Sequence, residues 1–167
     1  MAPQRKVANP DRALRALLAR LLDWEDAHAG FDAAVEGIPA RSRGARPKGA
    51  PHSAWQLLEH MLICQWDILE FCRNSEYIEM KFEDYWPPAV APPNPGAWKK
   101  SVAEFRRDRD SLKELAADSR IDLFAAIPHG TGQTYVRELV LVADHNAYHV
   151  GQLVLLRRLL GAWPRSG

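Results

Sequence analysis

The residues with the strongest claim to chemistry are the histidines His28, His52, His60, His129, His145 and His149. His145 and His149 stand four apart in VLVADHNAYHVGQLVLL, an otherwise apolar run with helical period. Residues i and i+4 of a helix share a face, with Cβ atoms about 5–6 Å apart, so two imidazoles there can grip one ion. The same stripe carries Leu141 or Val142 on one side and Gln152 and Leu156 on the other. It therefore faces a core, and rings placed on it need partners. Hydrogen bonds to neighbouring groups would satisfy them, and so would a shared metal ion. His60 bears on that choice. It sits mid-run in SAWQLLEHMLICQWDILEF, between Leu57 and Ile68 on its stripe. A neighbouring helix that set His60 against the His145/His149 pair would gather three imidazoles around one interior point. Neutral imidazole is the commonest transition-metal ligand, and three histidines with an open position is the stoichiometry of catalytic metal sites. The pattern is not that of a zincin, whose first His is followed directly by a Glu that acts as base; here Asn146 holds that place.

Other polar residues lie close by in sequence. Glu59 and Asp144 each precede a candidate ligand, and a helix turns about 100° per residue, so both point aside from it. They either orient imidazole N–H groups or make polar contacts between helices and to solvent. Cys64, one turn after His60, is open to three readings: a fourth ligand, a redox-sensitive neighbour or a small buried core residue. Gln152 could hydrogen-bond a water on the metal, and Tyr148 reads as a packing residue with its hydroxyl at the surface. His52 and His129 adjoin prolines in loops, where each lines a pocket mouth or lies in solvent. His28 reads as solvent-exposed.

Helices must position these groups. Asn9, Pro10 and Asp11 supply a cap, a first-turn proline and a charge that suits the helix dipole. Leu14, Leu17, Leu18, Leu21, Leu22 and Trp24 follow at helical spacing. After Gly30, the residues Phe31, Ala34, Val35 and Ile38 predict a further turn or two, stopped by Gly37 and Pro39. Residues 39–52 read as a loop whose Arg41, Arg43, Arg46 and Lys48 are either solvated or a site for an anionic group. No interleaved aromatics support nucleic acid there. Ser53 with Gln56 forms a capping-box pattern for a second helix reaching about Cys72. Residues 73–96 hold Pro87, Pro88, Pro92, Pro93 and Pro95 and predict an irregular crossover, with Tyr85-Trp86 packed over a bundle end. A third helix runs from about Gly96 to Asp118, with Trp98, Val102, Phe105, Leu112 and Leu115 as a narrow apolar stripe. A short extended stretch from Ile121 to Ile127 ends at the turn Pro128-His129-Gly130. Thr134 opens a long helix to Leu160, closed by Gly161. Four principal helices with almost no strand signal predict an all-α bundle with long crossover connections.

Composition narrows the function classes. The chain has 167 residues, 22 Lys+Arg against 21 Asp+Glu, and two cysteines. That balance gives no general electrostatic case for nucleic acid or an anionic membrane. No apolar run reaches the ~18 residues of a membrane span, and the N-terminus lacks the apolar core of a secretory signal. Cys64 and Cys72 on one helix lie about 12 Å apart, too far for a disulfide, which predicts free thiols and a cytoplasmic setting.

Two motifs carry a resemblance. Ser53, Trp55, Leu57, Leu58, Glu59 and His60 spell S-x-W-x-L-L-E-H. Ala143, Asp144, His145, Asn146, Ala147, Tyr148, His149, Gly151 and Gln152 spell A-D-H-N-A-Y-H-x-G-Q, followed by L-R-R-x-L-G. Together they resemble the DinB-like superfamily, also described as YfiT-like metal-dependent hydrolases, over about residues 10–162. The resemblance implies a four-helix bundle, here one domain spanning 1–167 with its core at about 10–162. It implies a divalent metal held by three histidines, which by motif position are His60, His145 and His149. Zinc or nickel is the first expectation, with iron or manganese as alternatives. It also implies a homodimer. Relatives of known activity use low-molecular-weight thiols, among them mycothiol-dependent maleylpyruvate isomerase and bacillithiol transferases. The expected function is therefore a metal-dependent enzyme, either a hydrolase or a thiol transferase, acting on a small molecule. The competing reading is a non-catalytic metal-stabilised bundle that serves as a binding or stress-response module. A third is a helical interaction module that needs no metal.

Overall fold

A computed structural model describes residues 9–164. Four long helices dominate: α1 (Pro10–Leu21), α4 (Ala54–Arg73), α5 (Ala97–Ala117) and α6 (Tyr135–Leu159), with short α2 (Phe31–Val35) and α3 (Ala40–Arg43) between the first two. Their starts follow from local chemistry. The Asn9 side chain accepts from the Asp11 amide ahead of Pro10. Ser53 and Gln56 complete the reciprocal capping box, and the Thr134 hydroxyl accepts from the Arg137 amide. Helix α4 packs on α5 and α6, and α1 on α5 and α6. The described residues form no strands, and the chain is all-helical apart from its connections.

Three local expectations change. Helix α1 stops at Leu21, so Trp24 lies outside it, beneath the Arg20 guanidinium. The 39–52 loop contains α3. Pro39 begins that turn with its carbonyl accepting from the Ser42 amide, and Arg43 donates to the Ile38 carbonyl while lying over Trp98. The segment Ile121–Ile127 pairs with no strand. A single bridge joins Ala126 to Thr134, and buried Leu123 and Ile127 pin the connection to the core.

The core has two apolar clusters. The first contains Trp55, Leu58, Met61, Phe105, Val150 and Leu153; the second contains Leu69, Cys72, Leu112, Leu139, Val142 and Ala143. Helices α4 and α5 both run from the first cluster to the second, whereas α6 runs back. The connection between α4 and α5 must therefore return the chain along the bundle, which is why it is long and unsuited to a tight turn. Between the clusters lies a polar layer. Gln65 Nε2 donates to the Phe105 carbonyl at 2.8 Å, and Asn146 Nδ2 donates to Gln65 Oε1 at 3.0 Å. One buried cation closes the far end of α6. The Arg157 guanidinium, 2% exposed, donates to the carbonyls of Ala33, Ala34 and Ala162.

Candidate metal centre

His60 projects from α4, and His145 and His149 from α6, at the seam where those helices pack. The Nε2 atoms of His60 and His145 are 3.2 Å apart. Ring centroids are 4.6 Å apart for His60 and His149, and 4.5 Å for His145 and His149. His60 and His149 are buried and His145 partly so.

Neighbours fix the protons on two of the rings. His60 Nδ1 lies 2.7 Å from the Tyr85 carbonyl oxygen, which can only accept, so Nδ1 carries the hydrogen and Nε2 a lone pair. His149 Nδ1 donates in the same way to Gln152 Oε1 at 2.9 Å. His145 Nδ1 is buried with no partner. Burial disfavours the charged form of all three rings. It acts most strongly on His145, where burial and the adjacent His149 and His60 push the ring down to about 4. The rings are thus neutral at pH 7, as metal ligation requires. Two nitrogens at 3.2 Å match the roughly 3.3 Å edge of a tetrahedral ion with ligands at about 2.0–2.1 Å. The spacing of His60 and His145 is therefore compatible with a shared divalent cation.

A family model described as the DinB superfamily matches residues 23–153. The chain belongs to the DinB superfamily. No curated protein and no solved structure matches it. The matched span contains all three histidines and the connection that covers them.

That connection supplies the part of this DinB-superfamily site that the sequence motifs do not contain. Trp86 lies between two imidazoles, 3.8 Å from His60 at 5° and 3.7 Å from His52 at 14°. The Tyr85-Trp86 pair is thus a wall of the site. Tyr85 is held in turn, its hydroxyl donating to Asp67 at 2.8 Å; the Tyr77 hydroxyl also donates to Asp67, at 2.9 Å. Asp67 is 7% exposed. It fastens the connection to the same helix that carries His60. A carboxylate on the core side of an apolar helix, together with tyrosines in a proline-rich loop, is the signal that could have revealed this clasp.

The remaining candidates separate. His52 reaches the pocket mouth through Trp86. Gln152 orients His149, a different task from the water contact expected of it. Cys64 Sγ sits 3.6 Å from His60 Nδ1, and the donor atoms of His60, Cys64 and His145 all lie within 4.8 Å of one another, a group compatible with metal binding. Burial and the Asp67 charge push the Cys64 thiol up to about 12. Glu59 turns away toward α5, where burial raises its carboxyl and Ser101 lowers it. Asp144 is exposed at the pocket rim, and Tyr148 is exposed with its ring edge on His149. His129 Nε2 donates to the Phe71 carbonyl in a separate cavity, and His28 is exposed. Both cysteines are free thiols. Among the described residues no helix is long and apolar enough to cross a membrane. The cavity over the histidines measures about 610 Å³ and opens between Trp86, Leu141 and Tyr148.

Proposed function

We propose that this chain is a divalent-metal enzyme of the DinB superfamily whose ion is held by Nε2 of His60, His145 and His149, leaving a coordination position open. The observation that carries the reading is the lone-pair Nε2 of His60, fixed by the Nδ1–H bond to the Tyr85 carbonyl, standing 3.2 Å from His145 Nε2. An ion held there would act as a Lewis acid and lower the pKa of a water or thiol that it binds. The chain's own groups set up that chemistry. The Tyr85 carbonyl and Gln152 Oε1 hold two rings by their Nδ1–H groups, in tautomers that present Nε2. Trp86 and His52 exclude water from one face of His60. Asp144, exposed at the rim, is the carboxylate in reach of the cavity for moving a proton.

Cys64 is the competing third ligand, because its sulfur belongs to the close donor group. His149 is preferred: Gln152 accepts from its Nδ1–H and leaves Nε2 its lone pair, and its ring lies 4.6 Å from that of His60 and 4.5 Å from that of His145. Zinc or nickel suits imidazole ligands, with iron or manganese as alternatives. The substrate is a small molecule, in the first instance a low-molecular-weight thiol or a hydrolysable compound, and a homodimer is proposed on family likeness. The test is elemental analysis of protein purified without an affinity tag. It should show about one divalent ion per chain, retained in Cys64→Ser and lost in His149→Ala. Full occupancy in His149→Ala would remove the assignment. If metal binds while thiols and hydrolysable esters neither bind nor react, the non-catalytic metal-stabilised module takes its place.

A further inference from the structure

The histidine cavity continues past the histidines. At Pro51, His52 and Gln152 it meets a second cavity of about 370 Å³. Apart from the loop Lys48–Ala50, the new walls are four leucines, Leu57 from α4 and Leu155, Leu156 and Leu159 from α6. Leu57 and Leu156 are buried and form a floor. Leu155 and Leu159 are 58% and 62% exposed. Single exposed leucines are ordinary; two that share a cavity with a buried apolar floor form a continuous surface with something to cover. The volume falls within the roughly 300–1,000 Å³ of small-molecule sites. From Gln152 to Leu159 the helix advances about 10 Å, so the groove is elongated. Gln152 stands at the junction, with its Oε1 on His149 and its side chain bordering both cavities. Three of the four leucines lie beyond residue 153, where the superfamily match ends.

We infer that this groove binds the apolar tail of the small molecule whose head reaches the histidine cluster, so the site takes amphiphiles with a compact electron-pair-donating head and an alkyl tail. The inference deepens the metal reading above and rests on it. Polar groups occur where head and tail would join, at His52 and Gln152, and the groove beyond carries one charged residue, Lys48. A head on the histidines and a tail along the leucines therefore meets the polarity of each cavity in turn. A wholly polar ligand would leave the groove wet.

The probe is a series of alkyl hydroxamates, a metal-binding head with tails of increasing length, titrated calorimetrically into the Zn²⁺-loaded full chain. Affinity should rise from acetohydroxamate to hexano- and octanohydroxamate by about two- to fourfold per methylene. Leu155→Asp changes an exposed side chain and keeps the fold. It should leave acetohydroxamate binding unchanged and abolish the gain from the longer tails. Equal affinity along the series, or a chain-length gain that survives Leu155→Asp, overturns the groove. So does a flat series in a protein that sediments as a dimer and becomes monomeric with Leu155→Asp, since the leucines would then be a face between copies. Acetohydroxamate that fails to bind the loaded chain, or binds His149→Ala equally well, strikes the metal reading itself and takes the groove with it.

Discussion

Two of the places where α6 buries polar side chains, Arg157 and the histidines, are treated in opposite ways. At Arg157 every arm of the guanidinium meets a carbonyl oxygen, two from α2 and one just past α6. Nothing is left for a ligand, and the charge lies where helix carbonyls favour a cation. About two to three turns earlier, His145 and His149 join His60 in a cluster in which Nε2 of His60 and of His145 face each other and His145 Nδ1 has no partner. Burial alone does not mark a functional site; incomplete satisfaction beside a cavity is the better pointer. A saturated group stabilises the fold, whereas a group left short of partners inside a cavity is ready for something else.

If that contrast holds, the two places fail differently. Arg157→Leu strands the buried Ala34 carbonyl and removes the donor to two part-buried ones, which should cost about 3 kcal/mol and lower the melting temperature by roughly 10 °C in calorimetry with metal affinity unaltered in the folded fraction. His149→Ala should do the reverse, weakening metal binding by about a hundredfold or more while circular dichroism and the apo melting temperature stay close to wild type. Gln152→Ala, which removes only the acceptor on His149 Nδ1, should weaken the metal by about tenfold. A melting temperature that falls as far in His149→Ala as in Arg157→Leu would erase the distinction. Acid sharpens it further. In the folded chain His145 is held down to about 4 against 6.5 when exposed. The unfolded chain therefore binds more protons between those values. Apo stability should fall as pH drops from about 6.5, with the His145 share of that fall complete near 4. Chemical denaturation across that window should show a shallower fall in His145→Asn.

The four long helices were legible from a 3.6-residue apolar period, which in α1, α4 and α6 follows a local start signal within a few residues. Ser53 with Gln56 and Thr134 ahead of α6 are the clearest cases. The three histidines were legible for a related reason, since helical spacing fixes which residues share a face. What surrounds them was not. Trp86 lies 26 positions from His60 in a segment without period, and its place follows from the Asp67 clasp and from the direction in which α5 must run. The one-turn helix at Ala40 is accompanied by Arg43 lying over Trp98, a tertiary contact that no local pattern announces. The Ile121–Ile127 run has strand-like residues and no strand to pair with, so pairing rather than propensity decided its form.

The clasp also makes the connection and the histidines one thermodynamic unit. His60 gives its Nδ1 proton to Tyr85 and one ring face to Trp86, while Tyr85 is anchored through Asp67. Whatever holds His60 still also holds residues 77–86 against α4, and whatever loosens those residues releases His60. By reciprocity, an occupied site should slow amide exchange in the connection by the same factor by which an ordered connection tightens the site. A covering loop of this kind reports on the site's occupancy from outside it.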